Sequence, residues 1–565
     1  MPLDERDKVA HLLRRAGFAA RPEEIEAGVA RGLEATAHSL LNFETTPDNL
    51  DPEPPGLNQN YQQNNQAGPP RGFENFALGW WMNAMIKTTR PLQEKMVLFW
   101  HHLFATSTLG VIDPRQMYLQ NQLFRGYFNP LLPSQRRTPE DTTSPFPVGN
   151  FRNILMWLSR DPAMGYWLDN YQNRRKDNEV GTNENYAREL LELFSMGVED
   201  VVAHVPNYTE TDVRQLSRVL TGWSVLPVDV RNNYPPVEGQ PNNFPRWFAF
   251  QPTYGRLQIT HDFGPYTVLG VTFSSTGADT QGRRMFDIIV NHKNPGQQQS
   301  ACGRFLGYRL FQFFGYDDPE PEVINALADV FDKGTPQFTI KNMLRAIFIP
   351  GSGIASEAFY SEKAFRAHIK SPTEYIIGTY RLLKPTGYTL NYELVTSNDG
   401  LTRLNSPVSL NLTLTFANQM GQLLWRPFDV SGWKEGLNWI NTTFDLARFN
   451  WAKGFVSEFS VFQQSRNEPP VEQRVPGELT TEAVRTLLVA NNAQTPERVV
   501  DFLARLLYQV PLSNAARTAL INYLRAGTDG TPGTFPFNIN NNVTIDNKVR
   551  GLLHLMMTSP EYQFS

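Results

Sequence analysis

Along this chain the hydrophobic positions recur mainly at spacings of three and four. In "NENYARELLELFSMGV" Ala187, Leu190, Leu191 and Phe194 fall at i, i+3, i+4 and i+7, the stripe an amphipathic helix turns to a core. Gly197 then stands where a left-handed residue closes such a helix. The same periodicity predicts helices over 23–43, 90–107, 151–160, 183–196, 210–221, 282–291, 301–314, 321–333, 338–348, 372–383, 413–425, 435–463, 480–491, 496–508, 513–526 and 543–557. Pro91 suits a first helical turn. Thr209, with Asp212 three residues on, has the pattern of a capping box in which Asp replaces Glu, and Gly222 ends that helix.

The pattern changes in three places. Residues 224–275 alternate and carry β-branched and aromatic residues, as in "RLQIT" and "YTVLGVTF", which predicts short strands. Residues 49–72 and 129–150 are rich in Pro, Asn and Gln and read as a linker or as arms wrapped on a surface. Residues 386–412 read as a long loop with a hairpin. There is no fixed-period repeat, which argues against a solenoid. The expected fold is mainly α, a large multi-helical single unit with long irregular loops and a small short-stranded β insertion. Its expected parts are an N-terminal helical segment (1–48), the linker or arm (49–75), a central helical core (76–223), the insertion (224–275) and a C-terminal helical region (276–565) packed on the core.

Composition narrows the function classes. The 565 residues are 41% hydrophobic and 12% aromatic, enough for a sizeable core. A net charge of −4 supplies no basic field, so nucleic acid is not an expected partner. Cys302 is the one cysteine, which rules out an intrachain disulfide and any zinc site needing several cysteines of this chain. No run approaches the 18 or so apolar residues of a membrane span. The opening "MPLDERDKVAHLLRRAGF" has early acids and no apolar h-region, so it reads as cytoplasmic as written.

Several polar residues could carry chemistry. Glu184, Arg188 and Glu192 sit four apart and predict a ladder of ion pairs, each worth a few tenths of a kcal/mol, with Asn185 and Glu189 on a neighbouring face. Glu189 or Glu184 would do more only in a polar pocket, as a general base or metal ligand. Arg218 is left over once the capping box has explained its helix, and a carboxylate of the preceding helix is its expected partner. His101 and His102 point about 100° apart on a helix, so one ion cannot easily take both. A metal at His101 would need partners from His261, His292, Glu189 or Glu192. His261 and Asp262 precede a Gly-Pro turn. In 420–452, Trp425, Trp433 and Trp439 are interleaved with Gln422, Asp429, Asn438 and Asn441. Rings beside amides and acids fit either a carbohydrate platform or the anchors of a helical core. The chain has no phosphate-loop pattern, no convincing dinucleotide fingerprint and no nucleophile elbow.

Taken in order, "HLLRRAGFAARPEEI", "FWHHLFATS", "NENYARELLELFSMGV", "YTETDVRQLSRVLTGW", "HDFGPYTVLG", "IKSPTEYIIGTYRLL", "MGQLLWRPFDVSGW" and "SPEYQ" span essentially the whole chain. Together they resemble the bacterial domain-of-unknown-function family 1800. The resemblance implies a mostly α-helical single unit and an exported or envelope setting. It also implies a neighbour-encoded partner that looks like sulfatases and phosphatases, and it brings no activity or cofactor. Where the family commonly has a second histidine and a lysine, this chain has Leu103 and Tyr266. Two functions follow as expectations. One is a non-catalytic binding, scaffold or assembly subunit of the bacterial cell envelope or of a larger complex, associating with itself or another protein. Here Arg218 or Arg188 would pair with Glu189, and the arms would wrap a neighbour. The alternative is a metal-dependent or hydrolytic enzyme acting on an envelope polymer or carbohydrate, with His101, Glu189, Arg218 and His261 as catalytic residues between the central helices.

Overall fold

Local signals start most of the helices. Asp4, Asn150, Asp161, Thr209, Ser300, Ser371, Asn441, Thr480, Thr495 and Ser513 each accept a first-turn backbone N–H with the side chain. This satisfies a donor the helix cannot pair internally. Proline opens several others, where its missing N–H costs nothing.

The computed structural model describes residues 3–54, 61–63, 66–68, 72–111, 113–127, 143–175, 182–225, 248–250, 253–254, 258–276, 281–385, 388–390, 393–396, 402–405, 408–463, 471–527 and 530–565. In chain order the first helices are α1 (Glu5–Arg15), α2 (Pro22–Arg31), α3 (Leu33–Leu41), α4 (Phe73–Lys87), α5 (Pro91–Leu103) and α6 (Arg115–Arg125). They are followed by α7 (Phe151–Leu158), α8 (Pro162–Trp167), α9 (Asn185–Glu192), α10 (Glu210–Val219), α11 (Arg284–Asn291) and α12 (Ala301–Phe314). Then come α13 (Pro321–Lys333), α14 (Ile340–Phe348), α15 (Ile354–Phe359), α16 (Pro372–Leu383), α17 (Val408–Gln419) and α18 (Thr442–Val456). The last are α19 (Thr481–Ala490), α20 (Pro496–Leu507), α21 (Asn514–Arg525), α22 (Asn542–Thr544), α23 (Arg550–Thr558) and α24 (Pro560–Gln563). The fold is mainly α. Its described strands form only two-stranded antiparallel pairs, three of them within or at the edge of 224–275. One contiguous core joins Val9 of α1 to Tyr562 of α24, so the helices share a single interior. Cys302 lies fully buried on α12, and burial pushes its thiol well above the ordinary range.

Three expected elements differ. The helix expected over 23–43 is two, because Gly32 at φ +92° breaks it between α2 and α3. The segment 435–463 is a short 3-10 turn (Gly436–Trp439), then α18, then the strand Glu458–Gln463 paired with Val471–Pro476. The helix expected at 413–425 is α17, which starts and stops earlier. Helices α4 and α6 show no clean stripe in the sequence and were not expected. In α4 both faces are buried from Phe76 to Ile86. In α6 the buried residues include Arg115, Gln116, Gln120, Asn121 and Arg125. The hairpin expected in 386–412 pairs Glu393–Thr396 with Thr402–Asn405. Much of the two Pro/Asn/Gln-rich arms lies outside the described residues.

Candidate functional site

Helix α5 carries His101 and His102 into the interior, and the segment 420–440 folds over them. A hydrogen bond links them: the Trp425 backbone N–H donates to His101 Nε2 at 3.0 Å. An accepting Nε2 requires a neutral imidazole with its proton on Nδ1. Burial, helped by His102, holds the His101 pKa down at about 3, so the ring stays neutral across the physiological range. Its faces meet Trp81 and Trp433, with ring centroids 5.3 and 5.4 Å away. Trp425 sits at φ +63°, a left-handed conformation that a bulky residue adopts only under compulsion. The compulsion comes from both sides, since the Trp425 carbonyl also accepts from the Thr108 N–H at 2.9 Å. Next in sequence, Arg426 grips Glu74 through two bonds of 2.8 Å. Further on, Gly432 at φ +83° lies against the His102 carbonyl, where a Cβ would come within 2.6 Å. Glu435 stands 3.7 Å from His102, and Trp433 stacks on the same ring.

Trp425, Trp433 and Trp439 are 1%, 6% and 3% exposed. Little of any of these rings is open to a sugar: Trp425 packs into the main core, and Trp433 and Trp439 into a smaller cluster with Ile369. Phe428, between them in sequence, is 93% exposed. Leu437 is 78% exposed, and Leu109, next to the Thr108 that bonds Trp425, is 77%. These three are the most exposed large hydrophobic residues among those described.

Glu189 on α9 is half-buried. Burial pushes its carboxyl up to about 7, with Glu192 and Asp429 of the covering segment adding to the effect and Arg188 opposing it. Among the described residues this carboxyl has no hydrogen bond or ion pair. The expected ladder on α9 is only half formed. Arg188 is 3.6 Å from Glu184 but turns to Glu210 of α10, with bonds of 2.7 and 2.8 Å. Glu192 accepts instead from the Tyr208 hydroxyl at 3.1 Å. Neither Arg188 nor Arg218 takes Glu189 as its ion-pair partner, because both have closer carboxylates. A raised carboxyl pKa means the folded state favours the neutral form. This stabilisation is complete below the unfolded value of about 4.5 and lost as pH rises through about 7. Glu189→Gln is therefore expected to flatten the fall in stability between pH 4.5 and 7. At pH 8 it should raise stability by about 1 kcal/mol after solvent screening, read from urea unfolding at several pH values.

Arg218 and His261 form a second cluster. The capping box on α10 has the expected form, with Thr209 and Asp212 bonding each other reciprocally. Arg218 then reaches not the preceding helix but Asp262 of the insertion, at 2.7 and 3.3 Å, with its guanidinium 5.3 Å from the centre of the Tyr266 ring. His261 donates from Nδ1 to the Thr221 carbonyl at 2.7 Å, and burial lowers its pKa. The Tyr266 hydroxyl donates to the Asp262 carbonyl. The four catalytic candidates are thus divided. His101 is bonded to Trp425 and Glu189 senses the charge of Asp429 in the same segment, while Arg218 and His261 belong to the α10–insertion joint. Among the described residues no three His, Cys, Asp or Glu side chains gather as a metal site. No described helix is long and apolar enough to cross a membrane.

Comparison with known proteins decides the family. The family described as "Protein of unknown function (DUF1800)" matches residues 11–564. The chain belongs to this family. No curated protein and no solved structure matches it. For this DUF1800 member Phe428 is the residue that sequence reasoning missed. An aromatic in a Trp-rich segment looks like core, and only the neighbouring Arg426 and Pro427 hint at a turn outward.

Proposed function

We propose that this chain is a non-catalytic binding or assembly subunit, of the cell envelope or of another larger complex, and that it engages its partner through the segment 425–437. One observation carries the reading: Phe428 stands almost fully in solvent on a segment tied down at Trp425, Arg426 and Gly432. Leaving a phenyl ring in water forgoes roughly 2 kcal/mol that burial would return. A rigid, exposed aromatic is the usual anchor of a protein interface. Three of the four side chains first suspected of catalysis, His101, Arg218 and His261, are engaged within the fold, which supports the same reading. Size-exclusion chromatography with light scattering is the test, together with a photo-crosslinker placed at position 428 in cells. The expected result is association or a crosslinked partner, weakened about 30-fold in Phe428→Asp, as loss of a 2 kcal/mol anchor implies. A strictly monomeric wild type that also captures nothing would overturn the proposal.

The enzyme alternative draws on Glu189. A half-buried carboxyl raised to about 7 is poised for general acid or base work. Release of soluble fragments from a purified envelope polymer, abolished in Glu189→Gln, would select this alternative.

A further inference from the structure

The exposed ring of Phe428 has a matching hollow on the same chain. Between α18, the end of α23 and α24 lies a pocket of about 400 Å³, walled by Ile440, Phe449, Pro560 and Phe564. Its polar lining is largely engaged already. The buried Arg448 donates to Gln563 Oε1 and to the Lys370 carbonyl, both at 2.8 Å. Gln563 Nε2 donates to the Met557 carbonyl at 3.1 Å, and the Thr558 hydroxyl to the His554 carbonyl at 2.9 Å. Asp445 sits in the opposing field of Arg448. An occupant therefore meets apolar walls and no surplus of either charge, which suits an uncharged ring. An apolar cavity of about 150 Å³ is enough to take up benzene, so a phenyl group has room here.

Two further observations connect this pocket with Phe428. The segment that carries Phe428 runs on through Trp433 and Trp439, which pack in one cluster with Ile440 and Phe564 of the pocket wall. Phe428 nonetheless stands 93% exposed, so it does not fill the pocket of its own chain. The charges beside knob and hollow are also complementary. Asp429, next to Phe428, has no ion pair among the described residues. Lys453, one turn along α18 from Phe449, has none either. It stands close enough to His554 to depress that ring's protonation, and His554 packs on Phe449 with centroids 4.3 Å apart.

We propose, resting on the reading of Phe428 as an interface anchor, that the partner is a second copy of this chain. The Phe428 ring of each protomer enters the α18–α24 pocket of the other, and Asp429 comes to the side of the pocket that carries Lys453. A two-fold axis makes both contacts at once and closes the assembly as a dimer. The test is sedimentation equilibrium of the full chain, in which the wild type is expected as a dimer. Phe428→Asp removes both anchors, so association should weaken about 1000-fold, against about 30-fold for a partner held by one anchor. Thr558→Glu, which sets a carboxylate where the ring enters, should weaken it as much while the circular dichroism melt persists. Phe449→Ser, which removes a wall of the pocket, serves the same purpose if Thr558→Glu does not fold. The deciding sample is a mixture of the knob and pocket variants. Phe428→Asp keeps an intact pocket and Thr558→Glu an intact knob, so together they should form a heterodimer about 30-fold weaker than wild type and tighter than either variant alone. A dimer indifferent to both pocket variants, or no heterodimer in the mixture, would overturn the proposal. A monomeric wild type that still captures another protein at position 428 would overturn it too, while leaving the segment 425–437 as a docking site.

Discussion

Glu374→Ala is expected to lower the unfolding free energy by about 3–5 kcal/mol, the cost of leaving a buried charge without its partner. Glu374 caps its own helix by accepting from the Ser371 N–H at 2.7 Å. It also ion-pairs with Lys95 and lies 2.8 Å from His368 Nε2. Lys95 and Glu374 are both almost wholly buried. Arg15 is buried close by, with no hydrogen-bond partner for any guanidinium nitrogen. Burial brings Arg15 down to about 9, and Glu374 and Asp317 oppose that shift. Removing Glu374 therefore strands two cations in the core, not one. Urea unfolding of the variant measures the loss. Glu374→Gln should fall between wild type and Glu374→Ala, because its carbonyl can still cap Ser371. A loss below about 1 kcal/mol in the alanine variant would mean that Lys95 and Arg15 are compensated by other groups.

The second large effect belongs to His101. His101→Ala leaves the Trp425 N–H without its acceptor and opens space between Trp81 and Trp433. An unsatisfied buried donor costs about 1–3 kcal/mol and the cavity adds to it, so about 3 kcal/mol is expected. The pH dependence gives a signature that packing alone would not. With a folded pKa near 3 and an unfolded value of about 6.5, the contribution of His101 is fully present above pH 6.5. It is lost as pH falls towards 3. His101→Gln keeps a carbonyl acceptor but has no such titration, so its stability should fall less than wild type over that window. Parallel curves for the two proteins would show that the imidazole does not stay neutral in the fold.

Much of the fold could be read before it was seen, for reasons that are local. The Thr209–Asp212 box, Pro91 at a first turn, and Gly197, which adopts φ +82°, depend on residues three or four apart. What could not be read is set by partners far along the chain. From Phe76 to Ile86 helix α4 is buried on every side, so that stretch has no polar face to reveal a period. Arg218 finds Asp262 forty-four residues away, across an insertion whose path no local rule gives. Glu189 is unpaired because Arg188 has a better partner in Glu210. The sequence shows the carboxylates but not which one wins. Phe428 and Trp425 are three residues apart and alike in composition, yet one is in water and the other in the core. The difference lies in the left-handed turn at Trp425, and that turn depends on His101, 324 residues earlier.

The burial of Cys302 has a practical consequence. A thiol reacts with maleimides and iodoacetamides through its thiolate and only where reagent can reach it. The one thiol of this chain is enclosed and holds its proton, so to such reagents the folded surface is blank. A cysteine introduced at position 428 would be the sole labelled position, with no native residue to remove first. A single dye there would report the docking of a partner directly, by the change in its emission as water leaves the ring of residues around it.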